Sequence, residues 1–129
     1  MKKVFTNGCF DIVHPAHIKL LEFCKSLGHV IVGLNDDKSV KENKGNNRPI
    51  FSVKDRKYML ESYRYVDKVY IFSESTPYNL IKKVKPDIIV KGGDYRAEDV
   101  IGADLCEVII FDYVDGYSTT KTIQDLVNR

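Results

Sequence analysis

Five short runs of β-branched and aromatic residues punctuate the chain: Val4-Phe5, Val30-Ile31-Val32, Val69-Tyr70-Ile71-Phe72, Ile88-Ile89-Val90 and Val108-Ile109-Ile110-Phe111. They are mostly continuous rather than alternating, which predicts strands of a parallel sheet buried on both faces. Helical patterns lie between them. Pro15 to Leu27 carries His17, Leu20, Leu21, Cys24 and Leu27 on one face, with Pro15 suited to a first turn and Gly28 as a stop. Ser52 to Tyr63 places Met59, Leu60 and Tyr63 on a face behind a Ser52 cap. Pro77 to Val84 reads as a short helix capped by Thr76, Glu98 to Ala103 as a helical turn, and Thr119 to Asn128 as a last helix with Ile123, Leu126 and Val127 facing inward. The polar stretch from Asn35 to Asn47 reads as a long loop, a feature usually tied to function. Strand and helix alternate throughout. The expected fold is therefore an α/β, three-layer Rossmann-like sandwich around a five-stranded parallel sheet with right-handed crossovers, forming a single domain over residues 1–129.

Charge and cysteine usage narrow the function. Twenty Lys and Arg against 18 Asp and Glu leave a net charge of +2, too balanced to argue for nucleic-acid binding, though compatible with an anionic small molecule met by local charge. Cys9, Cys24 and Cys106 are odd in number and lack CxxC spacing, which points to a reduced, cytoplasmic setting rather than a disulfide framework. The start, MKKVFTNGCFD, lacks the apolar stretch of a signal peptide, and no apolar run approaches the roughly 20 residues needed to span a bilayer, so no membrane association is expected.

In an open α/β sheet, ligands bind beyond the carboxyl ends of the strands. Thr6 to His17 follows the first strand, Asn35-Asp36-Asp37 with Lys41, Lys44-Gly45 and Arg48-Pro49 the second, Lys91 to Tyr95 the fourth, and Asp115 to Lys121 the fifth. Glycine, hydroxyl, imidazole and basic groups thus gather at one edge, an inventory suited to a polyphosphate. His14 and His17, three apart at the first helical turn, share a face and stand where helix-terminal N–H groups already favour anions. Two buried structural histidines would give the same spacing. A zinc site would need further ligands; Cys9 could be a third, and no fourth is evident. Gly8 permits close backbone approach after the first strand. Neither GxGxxG nor GxxxxGK[ST] occurs, which argues against hydride transfer and P-loop chemistry. Ser118-Thr119-Thr120 is at least an N-cap and is placed to offer a second helix terminus to phosphate. Lys44 and Arg48 are either solvated loop charges or a phosphate clamp.

The run Asn7-Gly8-Cys9-Phe10-Asp11-Ile12-Val13-His14-Pro15-Ala16-His17 resembles the GxFDxxHxGH signature of the cytidylyltransferase-like nucleotidyltransferases, and Ser118-Thr119-Thr120 resembles their second signature, ISTT or CSTT. Asn7 to Asp11, Lys44-Gly45, Arg48-Pro49, Thr76-Pro77, Lys85-Pro86-Asp87 and above all Val90-Lys91-Gly92-Gly93-Asp94-Tyr95 look like the adenylyltransferase domain that makes ADP-heptose from D-glycero-β-D-manno-heptose 1-phosphate. His17 to Glu22 and Arg64-Tyr65-Val66-Asp67 look more like glycerol-3-phosphate cytidylyltransferase. The first group weighs more, because its last segment lies where such enzymes read the nucleotide. Ala16 stands where the family usually has glycine, and Tyr117 where it usually has a small or aliphatic residue.

The resemblance implies transfer of AMP from ATP to a sugar 1-phosphate with release of pyrophosphate. Transfer of CMP from CTP to glycerol 3-phosphate or a similar polyol phosphate is the alternative, and a nucleotide-binding module without turnover is a third reading. It implies catalytic roles for His14, His17 and Lys44. Nucleotide contacts would come from Gly8, Cys9, Phe10, Gly92, Gly93, Asp94, Ser118, Thr119 and Thr120. Asp11, Arg48, Arg56 and Arg64 would serve the acceptor. Mg²⁺ would bridge triphosphate oxygens, held mainly by water and substrate with no protein metal site. It further implies a homodimer, and a form without the kinase half that accompanies many heptose adenylyltransferases.

Overall fold

A computed structural model describes residues 1–112 and 118–129. Five strands, β1 (Lys3–Gly8), β2 (His29–Asn35), β3 (Lys68–Phe72), β4 (Ile88–Gly92) and β5 (Glu107–Phe111), form one parallel sheet in the order β3-β2-β1-β4-β5. The helices are α1 (Pro15–Leu27), α2 (Asp37–Lys44), α3 (Val53–Glu61), α4 (Tyr78–Val84) and α5 (Thr119–Val127), with a 3₁₀ turn at Ala97–Asp99. Strand alternation sends Val4, Val30, Val32 and Val90 to one face, where α1 (Leu21, Cys24) and α3 (Leu60) cover them. Phe5, Ile31 and Ile89 go to the other, under Ile81 of α4 and Val100. Both faces are covered, hence the continuous apolar runs and the three layers.

The crevice arises from connectivity. From β1 the chain winds outward to β2 and β3, then crosses back to β4 on the other flank of β1, so β1 and β4 meet at the topological switch point. Their ladder pairs only Val4 with Ile88 and Phe5 with Ile89. The β1–β2 ladder, by contrast, continues to Gly8 opposite Leu34. Beyond Phe5 and Ile89 the two central strands part, and their carboxyl ends frame an opening.

Several local expectations need correction. The stretch from Asn35 to Asn47 is not a loop throughout: α2 occupies Asp37–Lys44, its start capped by Asp36, whose carboxylate accepts from Ser39 N–H at 2.9 Å. The helix is nearly all polar and buries only Ser39 and Val40, so hydrophobic periodicity does not reveal it. Leu126 and Val127 do not face inward; they are 61% and 76% exposed at the end of α5. Tyr70 and Ile71 are 40% and 43% exposed, because β3 is an edge strand. Pro77 takes the cap position of α4, with Thr76 one residue earlier accepting from Tyr78 N–H at 3.5 Å.

Candidate active site

The opening between β1 and β4 is a cleft of about 570 Å³. It is lined from every direction the sequence indicated: Gly8 at the end of β1 with Cys9 and Phe10 after it, His14 and His17 at α1, Lys44 at the end of α2, Gly92 at the end of β4, and Ser118, Thr119 and Thr120 at α5. Residues more than a hundred positions apart meet here. The Thr119 hydroxyl donates to the Asp11 carbonyl oxygen at 2.5 Å, tying the start of α5 to the loop before α1. Two helix N-termini therefore open onto one cavity, and each presents N–H groups without intrahelical acceptors. Ser118 Oγ is committed to capping, accepting from Lys121 N–H at 2.9 Å. Asp115, Gly116 and Tyr117, singled out in the sequence as part of the segment after the fifth strand, lie outside the described residues.

The loop from Cys9 to Val13 carries backbone strain. Phe10 has φ +48° and the β-branched Ile12 has φ +58°, both in the left-handed region that such residues rarely adopt. Strain of this kind persists only where neighbours over-determine the chain. Asp11 supplies much of that restraint. Its carboxylate, fully buried, accepts from Ile50 N–H (2.7 Å), Phe51 N–H (3.0 Å) and Arg48 Nε (3.2 Å). At Gly8 a Cβ would sit 3.2 Å from the Phe10 ring, a tight contact that the ring would have to ease by a few tenths of an ångström.

Each histidine is fixed by its neighbours. The His14 and His17 rings stack with centroids 3.9 Å apart, and the Phe10 ring lies 5.1 Å from that of His17 on a tilt. The backbone N–H of His14 donates to His17 Nδ1 at 3.1 Å. An accepting Nδ1 carries no proton, so neutral His17 holds its proton on Nε2 and is a donor there. Burial, reinforced by the adjacent His14, pushes the His17 pKa down to about 4. Burial also lowers that of His14. At neutral pH both rings are uncharged donors, and an anion beside them favours their protonated forms.

The described lining carries three cations, Lys44, Arg48 and Lys91, and three carboxylates, Asp11, Asp99 and Asp112; Asp11 is paired with Arg48. Arg48 bridges the walls, pairing with Asp11 and donating from Nη1 to Thr120 Oγ1 at 3.4 Å. Burial pushes the Cys9 thiol up, against the opposing pull of Lys44, Arg56 and Arg48, so Cys9 stays a neutral thiol rather than a nucleophile. Among the described residues no group of three or more His, Cys, Asp or Glu could hold a metal ion.

Four sequence-derived assignments are displaced. Arg56 is completely buried and does not line the cleft. It donates to the carbonyls of Phe51 (3.0 Å), Cys9 (2.9 Å) and Asn35 (2.9 Å) and to the Asp37 carboxylate (2.8 Å), bracing three segments from beneath. Arg64 is exposed away from the cleft, bonded to the Tyr65 hydroxyl, which bonds in turn to Glu22. Gly93 and Asp94 also lie outside the lining. Gly93, with φ +117°, turns the chain while its N–H donates to the Phe111 carbonyl at 3.2 Å. Conversely, Thr76 lines the cleft without having been assigned to it, and Lys91 and Tyr95, which the sequence places at this edge without roles of their own, line it too. Strand alternation was the available signal for Lys91: two residues past the buried Ile89, it emerges at the top of the sheet face covered by α4.

The sequence profile of the family described as cytidylyltransferase-like matches residues 5–124. The protein "Bifunctional protein HldE" of Nitratiruptor sp. is 56% identical over 123 residues, covering 94% of this chain and 27% of that protein. Its namesake in Aliarcobacter butzleri is 54% identical over 125 residues, covering 95% of this chain and 26% of that protein. The chain thus spans about a quarter of the length of these curated relatives. Among solved structures, the lipopolysaccharide core biosynthesis protein from Thermoplasma volcanium superposes with a TM-score of 0.73 at 28% identity, covering 92% of this chain and 99% of that one.

Proposed function

The chain belongs to the cytidylyltransferase-like family, and on that premise we propose that it is a nucleotidyltransferase moving AMP from ATP to a sugar 1-phosphate of the heptose 1-phosphate kind, with release of pyrophosphate. The observation that carries this reading is the Thr119–Asp11 hydrogen bond, which brings the starts of α1 and α5 to one cleft. Two such termini, two imidazole donors, Lys44 and Arg48 suit a triphosphate better than a neutral ligand. The choice of ATP and a heptose-like acceptor is supported by relatives above 50% identity named HldE and by the segment Val90 to Tyr95.

In the proposed reaction an oxygen of the sugar phosphate attacks the α-phosphorus in line. A new P–O bond forms, the bond to the bridging oxygen breaks, and the electron pair leaves with pyrophosphate. The attacking phosphate is already an anion near neutral pH, so no general base and no covalent intermediate are needed. Catalysis is positioning and charge stabilisation. His17 Nε2–H and the His14 ring stabilise charge on the pentacovalent phosphorus; Lys44 neutralises phosphate; the α5 start, with Thr120, holds the β- and γ-phosphates. Gly8, Cys9, Phe10 and Gly92 frame the nucleoside. Mg²⁺, when bound, lowers the charge of the triphosphate.

Among the described residues no helix is long and apolar enough to cross a membrane. We place the enzyme in the cytoplasm as a homodimer, which sedimentation would test. The function is tested by a matrix of ATP and CTP against heptose 1-phosphate and glycerol 3-phosphate, reading pyrophosphate. Release with ATP and heptose 1-phosphate is expected. Release confined to CTP and glycerol 3-phosphate would replace this reading with the cytidylyl one, and nucleotide binding without release in any combination would replace it with a non-catalytic module.

A further inference from the structure

The two faces of the sheet divide the cleft into unequal halves. The histidines, Arg48 and the start of α5 lie on the side of α1, and Phe111 beside them packs on Phe23 of α1. The α4 side holds a different set: Lys91 near the end of β4, Thr76 before α4, Tyr95, and the Asp99 carboxylate beside Val100. Lys91 is half-buried, and its ammonium lies 5.0 Å from the centre of the Tyr95 ring. Among the described residues it pairs with no carboxylate. With no described carboxylate in ion-pair contact, although Asp99 and Asp112 line the same cleft, a partly buried cation facing an aromatic ring is placed to meet an anion.

In-line displacement requires the attacking and leaving oxygens to stand on opposite sides of the phosphorus. If the leaving pyrophosphate lies with the histidines and α5, the attacking group must enter from the α4 side. We propose that Lys91, flanked by Thr76 and Tyr95, forms the subsite for the phosphate of the acceptor, and so selects for a phosphorylated acceptor over a neutral sugar. The inference rests on the nucleotidyltransferase reading above and adds to it a residue that the sequence did not assign. It also replaces Arg56 and Arg64, which the fold directs elsewhere. Burial, and secondarily the nearby Lys44, depress the Lys91 pKa. An anion seated between the two ammonium groups would relieve both penalties. Lys44, at the end of α2, would then face the transferred phosphoryl group between the two subsites.

The test uses the full chain with ATP and whichever phosphorylated acceptor it turns over, comparing wild type, Lys91→Met and Lys91→Arg. Methionine keeps the apolar stem and removes the charge. The expected result for Lys91→Met is an acceptor KM raised on the order of tenfold or more, as for loss of one charge-assisted hydrogen bond, with the KM for ATP within about twofold of wild type. Lys91→Arg should recover most of the loss. Independently of any variant, inorganic phosphate should inhibit wild type competitively against the acceptor and not against ATP. An unchanged acceptor KM in Lys91→Met, a KM effect falling on ATP instead, or phosphate competing with ATP alone would overturn the assignment. Wild type that transfers to no phosphorylated acceptor would instead refute the reading beneath it, and this proposal with it.

Discussion

Replacing Arg56 separates a structural brace from a substrate ligand. In Arg56→Ala, the carbonyls of Phe51, Cys9 and Asn35 lose a buried donor, and the Asp37 carboxylate loses its partner. The volume of a completely buried side chain is vacated at the same time. Breaking a buried ionic and hydrogen-bonded group from one side costs about 3–5 kcal/mol. Entry of water into the vacancy would hold the loss near the lower end, while the cavity pushes it up. For a chain of 129 residues, that corresponds to a fall of roughly 10–20 °C in Tm. Arg56→Lys should recover less than half, because one ammonium cannot reach acceptors spread around a planar guanidinium. Thermal unfolding followed by circular dichroism, with urea titration for ΔG, reads both variants. A Tm within about 2 °C of wild type, together with a selective rise in acceptor KM, would show that Arg56 binds substrate and that the bracing argument is wrong.

Other substitutions probe the same cleft. Asp11→Ala strips the acceptor from Ile50 N–H, Phe51 N–H and Arg48, and should cost about 2–4 kcal/mol in urea unfolding; an unchanged midpoint would mean that the strained loop stands without it. His17→Ala should lower turnover on the order of 10²-fold or more, as for removal of one transition-state donor, and undiminished pyrophosphate release would contradict its role. Because the folded-state pKa of His17 lies near 4, below the ordinary 6.5, the unfolded chain takes up a proton first as pH falls. Its stabilising contribution is therefore complete above pH 6.5 and is lost progressively on descent to about pH 4. Stability measured by urea should decline across that window in wild type and less steeply in His17→Gln; parallel profiles would exclude this linkage.

The sheet was legible because its central strands are buried on both faces and so carry unbroken apolar runs, and α1 because Pro15 and Gly28 bracket a clear stripe. What escaped detection was structure held together by polar groups. Helix α2 is built from a capping aspartate, a closing glycine and almost no apolar surface; the pair Asp36 and Gly45 was the signal available. Arg56 was read as a ligand because a basic residue near phosphate-binding motifs invites that reading. Yet its spacing to Val53 and Leu60 puts it on the inner stripe of α3, where a charge must be fully satisfied by protein. Lys91 is legible as part of the edge beyond the fourth strand, but the side of the cleft from which it enters follows only from strand alternation together with the position of α4.

The account depends most on one triphosphate being shared by the α1 and α5 termini. A crystal structure of the chain soaked with a non-hydrolysable ATP analogue and Mg²⁺ measures this directly. The account predicts phosphate oxygens within hydrogen-bond distance of His17 Nε2 and of the first backbone N–H groups of α5 in the same molecule of analogue. Phosphates that contact one terminus and leave the other to solvent, or a nucleotide seated outside the cleft between β1 and β4, would contradict it.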